Sequence, residues 1–156
     1  MASTLTLYNK LTKYLQDGTI DLDTNTIKLA LVTSSYTPDA AHDVLADVLG
    51  SPSCEVEAIA SPNNGYTAGG EELASKTLTQ TDSPAETVFD AADLTFAALT
   101  ATFRYGILYA SGTLNGIVNP LIGYILFDTT PADIVMSGID FVVQWNASGI
   151  TKIAKA

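Results

Sequence analysis

The chain has 156 residues, of which 47% are hydrophobic and 15% charged, so it has enough apolar material to fold as a single domain around a buried core. Seven Lys and Arg against 17 Asp and Glu give a net charge of −10, and the cations form no run. Binding to a phosphate backbone needs clustered cations, so this balance argues against nucleic acid as a partner. The single cysteine, Cys54, excludes an intrachain disulfide and any multi-cysteine metal site.

Two segments have apolar residues at helical spacing. Residues 4–16 predict an N-terminal amphipathic helix, which Gly18 would end in a left-handed conformation. Residues 39–49 predict a second short helix, with Asp39 as its N-cap. The apolar stripe of the first helix should pack on a sheet.

The remaining periodicity is that of strands. Residues 27–32 alternate in the way expected of a strand, and beyond Glu71 only strands are predicted. These later strands are predicted at 73–80, 86–89, 93–96, 101–110, 121–127, 138–145 and 149–154. The last two are predicted to form a hairpin through the turn "NASG" at 146–149. The fold class predicted is mainly β, an antiparallel β-sandwich or partly open barrel with an N-terminal amphipathic helix and a second short helix.

In two of the predicted strands, every second residue is apolar or aromatic, which predicts that these side chains lie on one face of the strand. In "IDFVVQW" the residues that line one face are predicted to be Ile139, Phe141, Val143 and Trp145. In "TFRYGILY" they are Phe103, Tyr105, Ile107 and Tyr109.

Residues 105–127 carry no charge and are long enough to span a membrane, but "SGTLNGIVNP" in their middle is typical of turns. This stretch is therefore predicted to be two buried strands joined by a loop.

The glycine-rich stretch "NNGYTAGGEELASKTLT" at 63–79 raises the question of a bound phosphate. It lacks both the GxGxxG and the GxxxxGK[ST] spacing, and Glu71 and Glu72 come directly after the glycines and would repel an anion. The residues after these glutamates have the pattern of a strand rather than a helix. We predict a turn in which Gly69 and Gly70 adopt positive φ.

Other candidate sites are weak. "DLDTN" at 21–25 begins like a calcium loop, but Thr26 and Val32 replace the glycine and glutamate that such a loop requires, which favours an Asx-rich turn. His42 is the only histidine, and no G-x-S-x-G elbow accompanies it. We predict no catalytic residue, no cofactor and no metal, and hence no enzymatic activity.

Six sequence blocks resemble those of a known protein family. They follow one another in order and together cover about two thirds of the chain. They are "YNKLTKYLQDGTIDLDTNTIKLALVTSSYTP" (8–38), "GYTAGGEEL" (65–73), "FDAADLTF" (89–96), "RYGILY" (104–109), "PLIGYILFD" (120–128) and "QWNASGI" (144–150). In these blocks the chain resembles a family of small structural proteins of tailed bacteriophages. The resemblance implies a virion component, with capsid decoration (cement) as the favoured role, and no catalytic residues carry over.

The implied partners are the major capsid protein and neighbouring copies of the chain itself, in a homo-oligomer such as a trimer. An acidic subunit suits the outer surface of a shell whose interior holds DNA. The loops at 34–70 and 111–120 are the predicted contact surface, and their exposed apolar residues are predicted to be Tyr36, Val48, Leu49, Tyr66, Leu114, Ile117 and Val118. A tail, baseplate or fibre component is the nearest alternative, and a carbohydrate-binding host-attachment module is a further one.

Overall fold

In a computed structural model, the described residues, 4–50, 54–57, 64–130 and 132–154, form a mainly β protein in which every strand pairing is antiparallel. Two short helices are present, α1 (Leu11–Gln16) and α2 (Leu45–Val48). The strands are β1 (Thr4–Leu7), β2 (Ile27–Val32), β3 (Glu71–Glu72), β4 (Thr77–Asp82), β5 (Ala85–Asp90), β6 (Leu94–Phe103), β7 (Tyr105–Ala110), β8 (Thr113–Leu114), β9 (Ile117–Val118), β10 (Leu121–Leu126), β11 (Ile134–Val143) and β12 (Thr151–Ala154).

A five-stranded sheet in the order β1-β10-β7-β2-β3 forms one layer. The two-stranded β6–β11 ribbon forms the facing layer, and a separate three-stranded sheet in the order β12-β5-β4 contributes Phe89 of β5 to the same core, while every residue of β4 is exposed. The main core lies between these layers and contains Leu29 and Leu108 from one side and Phe96, Phe103 and Phe89 from the other. This is the predicted antiparallel sandwich, and the described strands do not close into a barrel.

The central strands of the five-stranded sheet are buried on both faces. Ile27, Leu29 and Leu31 of β2 enter the main core, whereas Ala30 and Val32 of the same strand enter a second apolar cluster on the opposite side. That second cluster is covered by α2 and by the loop that contains Tyr36. Double burial explains why the β2 sequence, IKLALV, is almost entirely apolar.

The boundaries of both predicted helices were wrong. Residues 4–7 form the edge strand β1, and only Leu11–Gln16 is helical, because Thr4-Leu5-Thr6-Leu7 alternates with the period of a strand and pairs with β10. The second helix covers only Leu45–Val48 instead of the predicted residues 39–49. The carboxylate of Asp47 fixes its start by accepting the N–H groups of Asp43 and Val44 at 2.9 and 3.1 Å.

The strand predictions were right about position and partly wrong about pairing. Residues 105–127 do form two buried strands, β7 and β10, joined by the small β8–β9 hairpin. The turn at 146–149 does not create a hairpin, because β11 pairs with β6 whereas β12 pairs with β5 in another sheet. Strands predicted separately at 93–96 and 101–110 are instead the continuous β6 followed by β7.

The predicted common faces are interrupted. Phe103 lies in the main core, whereas Ile107 and Tyr109 lie in the second cluster, since the chain changes layers at Arg104. Val143 of β11 is buried in the main core, and Phe141 and Trp145, the latter beyond the end of β11, pack against that core, but Ile139 is 60% exposed. Register shifts on both sides of Ile139 account for its separation from the others.

Candidate functional site

The glycine-rich loop is held by polar groups of the protein itself. Gly69 and Gly70 have φ values of +85° and +77°, as the sequence predicted. The N–H of Gly69 donates to the Glu55 carboxylate, and its carbonyl accepts the Tyr109 hydroxyl at 2.8 Å. A Cβ on Gly70 would lie 1.9 Å from the carbonyl oxygen of Leu29. The loop is therefore a turn that lets the chain pass close to β2 and enter β3, and a carboxylate already uses the N–H of Gly69.

Tyr66 anchors the same loop from within the core. Its hydroxyl donates to Glu55 at 2.8 Å and accepts the N–H of Leu31 at 3.2 Å, while its ring stacks on Phe96 with centroids 6.1 Å apart. Burial, and then the negative charge of Glu55, raise the pKa of Tyr66 well above its ordinary value. The Tyr66 hydroxyl and ring thus hold the loop against Glu55, β2 and Phe96.

The segment at 21–25 is the Asx-rich turn that the sequence predicted. The Asp21 carboxylate accepts the N–H groups of Asp23 and Thr24 at 3.0 and 3.2 Å, and Asn25 accepts the N–H of Asp21 at 2.8 Å. Hydrogen bonds from Thr24 lower the pKa of Asp21. The carboxylate thus stabilises the approach to β2.

His42 lies at the edge of the second cluster. Its Nδ1 is 3.4 Å from the Tyr36 hydroxyl, which in turn is 2.8 Å from the hydroxyl of buried Tyr8. The oxygens of the neighbouring Asp43 accept hydrogen bonds from Lys10 Nζ and from the Tyr14 hydroxyl. Within the described ranges, no group of three or more His, Cys, Asp or Glu side chains is placed to hold a metal ion.

Aromatic side chains that a sugar could stack on are used in packing. Tyr105 and Tyr124 are half-buried, and each meets Tyr36 edge-on, with centroids 5.6 and 6.4 Å apart. Trp145 packs against the main core and donates its Nε1–H to the carbonyl of Ala92 at 3.1 Å. These rings stabilise the two apolar clusters.

Three of the seven predicted contact residues cannot form a surface. Tyr36, Val48 and Tyr66 are only 4%, 2% and 3% exposed, so the prediction of their exposure was wrong. The irregular pattern around them predicts surface loops, but Tyr36 and Val48 belong to the second apolar cluster and Tyr66 belongs to the main core. Leu49, Leu114 and Ile117 are half-buried, and Val118 is 56% exposed on the β8–β9 hairpin.

Another exposed surface with apolar side chains lies on the β6–β11 ribbon. Of the ten residues in each strand, only Asp140 is charged, and its carboxylate accepts the N–H of Ala98 at 2.8 Å. Val135 is 71% exposed. We define the outer ribbon surface by the exposed residues Thr95, Ala97, Thr100, Thr102, Val135 and Val142. The alternation of Thr and Ala with Leu and Phe in β6 was the sequence signal for it.

A cleft of about 500 Å³ opens at one side of the sandwich, between the β1 edge of the five-stranded sheet and the end of β11. Its residues are mainly apolar, and none carries a charge. They are Leu5, Ile125, Phe127, Phe141, Val142, Val143, Gln144, Trp145, Asn146, Gly149 and Ile150. Leu5 is the residue of β1 that lines this cleft.

Comparisons with known proteins place the chain in no group. No family model matches the sequence, and neither a curated protein nor a solved structure matches it. The resemblance to tailed-phage structural proteins therefore stays a prediction. In the described part of the chain, no helix is long and apolar enough to cross a membrane.

Proposed function

We propose that this chain is a non-enzymatic structural protein of a tailed-phage virion, most specifically a capsid decoration protein that binds and stabilises the assembled shell. The observation that carries the proposal is the outer ribbon surface, which exposes valine, threonine and alanine side chains on a protein with a net charge of −10. A strand pair with exposed valine, threonine and alanine side chains and a single charge, that of Asp140, can be covered by another protein with at most one charge buried.

The mechanism rests on mass action. A protein that binds the assembled shell but not its dissociated subunits stabilises the shell by RT ln(1 + [L]/Kd). Neither a reactive group nor a cofactor is needed, and the geometry supplies what the mechanism does need, namely a rigid surface. Asp140 and Thr100 fix the ribbon by accepting the N–H groups of Ala98 and Gly138 at 2.8 and 2.9 Å. The partner is then the major capsid protein.

Binding to purified, expanded capsids that lack this protein tests the proposal. We expect saturable binding and a higher temperature of capsid disruption. Val135→Lys should weaken binding at least tenfold, because a buried ammonium without a partner is costly. Leu78→Lys is the matched control, since Leu78 is 47% exposed on β4, outside the outer ribbon surface. Capsids that neither bind the protein nor gain heat resistance would contradict the proposal.

The same assay separates the outer ribbon surface from the predicted loop at 111–120. Val118→Lys changes the exposed residue of the β8–β9 hairpin in the same way. A loss of binding in this variant alone would move the contact from the ribbon to the hairpin. The number of copies per particle separates decoration from a tail, baseplate or fibre role, because a shell protein is present in hundreds of copies and a tail protein in few.

A further inference from the structure

The two ends of the five-stranded sheet differ in how they resist pairing with another strand. The β3 end is formed by Glu71 and Glu72, and two copies of this edge would repel each other. The β1 end, Thr4–Leu7, has neither a charge nor a proline. Among the described residues, β1 pairs with β10 alone, so no described strand covers its other side. Exposed edges of this kind readily pair with another chain.

The hydrogen-bond pattern of β1 shows which groups are available. Tyr8 donates its N–H to the carbonyl of Ile122 at 3.1 Å, continuing the register in which Leu7 lies opposite Gly123. In an antiparallel ladder, the N–H and C=O groups of alternate residues point to opposite sides. Thr6 therefore bonds towards β10, and the N–H and C=O groups of Leu5 and Leu7 point towards the open side.

We infer that β1 is a homotypic edge, at which two copies of this chain pair antiparallel about a two-fold axis through Thr6. In this register Leu5 of each copy lies opposite Leu7 of the other. Each Leu5–Leu7 pair exchanges two backbone hydrogen bonds. The two pairs therefore use all four outward N–H and C=O groups that the two leucines of each copy present. The two five-stranded sheets become one continuous ten-stranded sheet. The interface is isologous, as a two-fold axis requires.

Apolar complementarity supports the same register. Leu7 is 43% exposed, whereas Leu5 is half-buried and lines the cleft at the side of the sandwich. Leu5 and Leu7 lie on one face of β1, since they are two residues apart. Pairing would place the exposed Leu7 of one copy beside Leu5 and the cleft of the other, and would remove apolar surface from water at both sites.

Charge identifies the occupant as a second copy. Each copy has a net charge of −10, so two copies meet favourably only where carboxylates are absent. Both β1 and the cleft lining lack charged residues. A different protein of basic character would instead be drawn to the acidic surface elsewhere. The homotypic edge and the outer ribbon surface share Val142, which also lines the cleft, whereas Val135 lies near the other end of β11, outside the cleft lining, so Val135→Lys tests shell binding separately.

Sedimentation of the full chain over a range of concentrations tests the inference. We expect a concentration-dependent shift from monomer to dimer. Leu7→Lys should weaken the dimer at least tenfold, while the matched control Leu78→Lys should leave it unchanged. A monomer at all concentrations, a trimer, or a dimer that survives Leu7→Lys would overturn the inference. Thermal unfolding of both variants establishes that each is folded.

Disulfide trapping tests the register itself. Thr6 lies opposite its own copy in a non-hydrogen-bonded pair, where Cα atoms are about 4.5 Å apart, within the range that disulfides span. Thr6→Cys should therefore form a covalent dimer under mild oxidation. Leu7→Cys should not, because two copies of Leu7 lie diagonally, more than about 7 Å apart. The native Cys54 is buried, and the unchanged protein measures its background. Trapping through Leu7→Cys but not Thr6→Cys would overturn the register.

Discussion

The hydroxyl of Tyr66 donates a hydrogen bond to the carboxylate of Glu55 at 2.8 Å, and this contact joins the glycine-rich loop to the segment at 54–57. The same carboxylate accepts the N–H of Gly69, and the Tyr66 hydroxyl accepts the N–H of Leu31 from β2. One buried ring therefore connects three separate parts of the chain. The loop that resembles a ligand-binding loop in the sequence is a structural junction.

Tyr66→Phe tests how much this junction contributes to the free energy of unfolding. The ring would still stack on Phe96, but the N–H of Leu31 would lose its acceptor and Glu55 would lose a donor. We expect the free energy of unfolding to fall by about 1–3 kcal/mol, the cost of leaving buried polar groups unsatisfied. Chemical denaturation measures it. Tyr105→Phe, in a half-buried ring outside the junction, is the comparison, and equal losses in both variants would contradict this account.

Gly70→Ala should be far more damaging than the same change at another left-handed glycine. A Cβ at Gly70 would lie 1.9 Å from the Leu29 carbonyl oxygen, whereas at Gly116, with φ +82°, it would meet nothing within 4 Å. Gly116→Ala should therefore cost only the left-handed strain, about 1–2 kcal/mol. Gly70→Ala must also displace β2 or the loop, and we expect it to abolish cooperative folding. Circular dichroism with thermal melting compares the two variants, and similar melting temperatures would contradict the prediction.

The sequence predicted those features that depend on local pattern. Alternating apolar residues identified β2, and the glycines and asparagines at 111–119 correctly divided an uncharged stretch into two strands. The turns at 21–25 and at Gly69-Gly70 were also predicted correctly, because backbone φ and Asx hydrogen bonding act over a few residues.

Features that depend on distant contacts could not be predicted in this way. Residues 4–16 fit a helical stripe, yet residues 4–7 pair with β10, more than a hundred positions away. Tyr36 and Val48 were placed on the surface because nothing near them in sequence shows that their loops cover the five-stranded sheet. The layer change at Arg104 likewise depends on which strand is available for pairing. Tertiary packing overrode local periodicity at each of these places.

Ala98→Gly should stabilise the ribbon. Ala98 has φ +51° in the bulge opposite Asp140, a conformation that costs a non-glycine residue about 1–2 kcal/mol. Glycine removes this strain but increases the conformational entropy of the unfolded chain. We therefore expect the free energy of unfolding to rise by about 0.5–1 kcal/mol. Ala97 lies next to Ala98 but outside the left-handed region, so Ala97→Gly should lower the free energy of unfolding by about the same amount. Chemical denaturation of both variants checks the opposite signs, and a loss in both would mean that the bulge carries no strain.

Asp47 makes the stability of the chain depend on pH. Its carboxylate accepts the N–H groups of Val44 and Asp43 at the start of α2, and these hydrogen bonds lower its pKa in the folded protein below the ordinary value of 3.8. Because the folded-state pKa is the lower one, the stabilisation is complete above the unfolded-state pKa and is lost as the pH falls through the folded-state pKa.

Replacing this carboxylate should therefore matter more at neutral than at acid pH. We expect Asp47→Asn to reduce the free energy of unfolding at neutral pH and to differ less from the unchanged protein once the pH falls below the folded-state pKa, where the native carboxyl also becomes protonated. Urea denaturation at several pH values gives this difference. Gly116→Ala is the control, since its strain does not involve a titrating group and its loss should be the same at each pH. A difference for Asp47→Asn that stays constant with pH would show that the α2 cap does not depend on the charge.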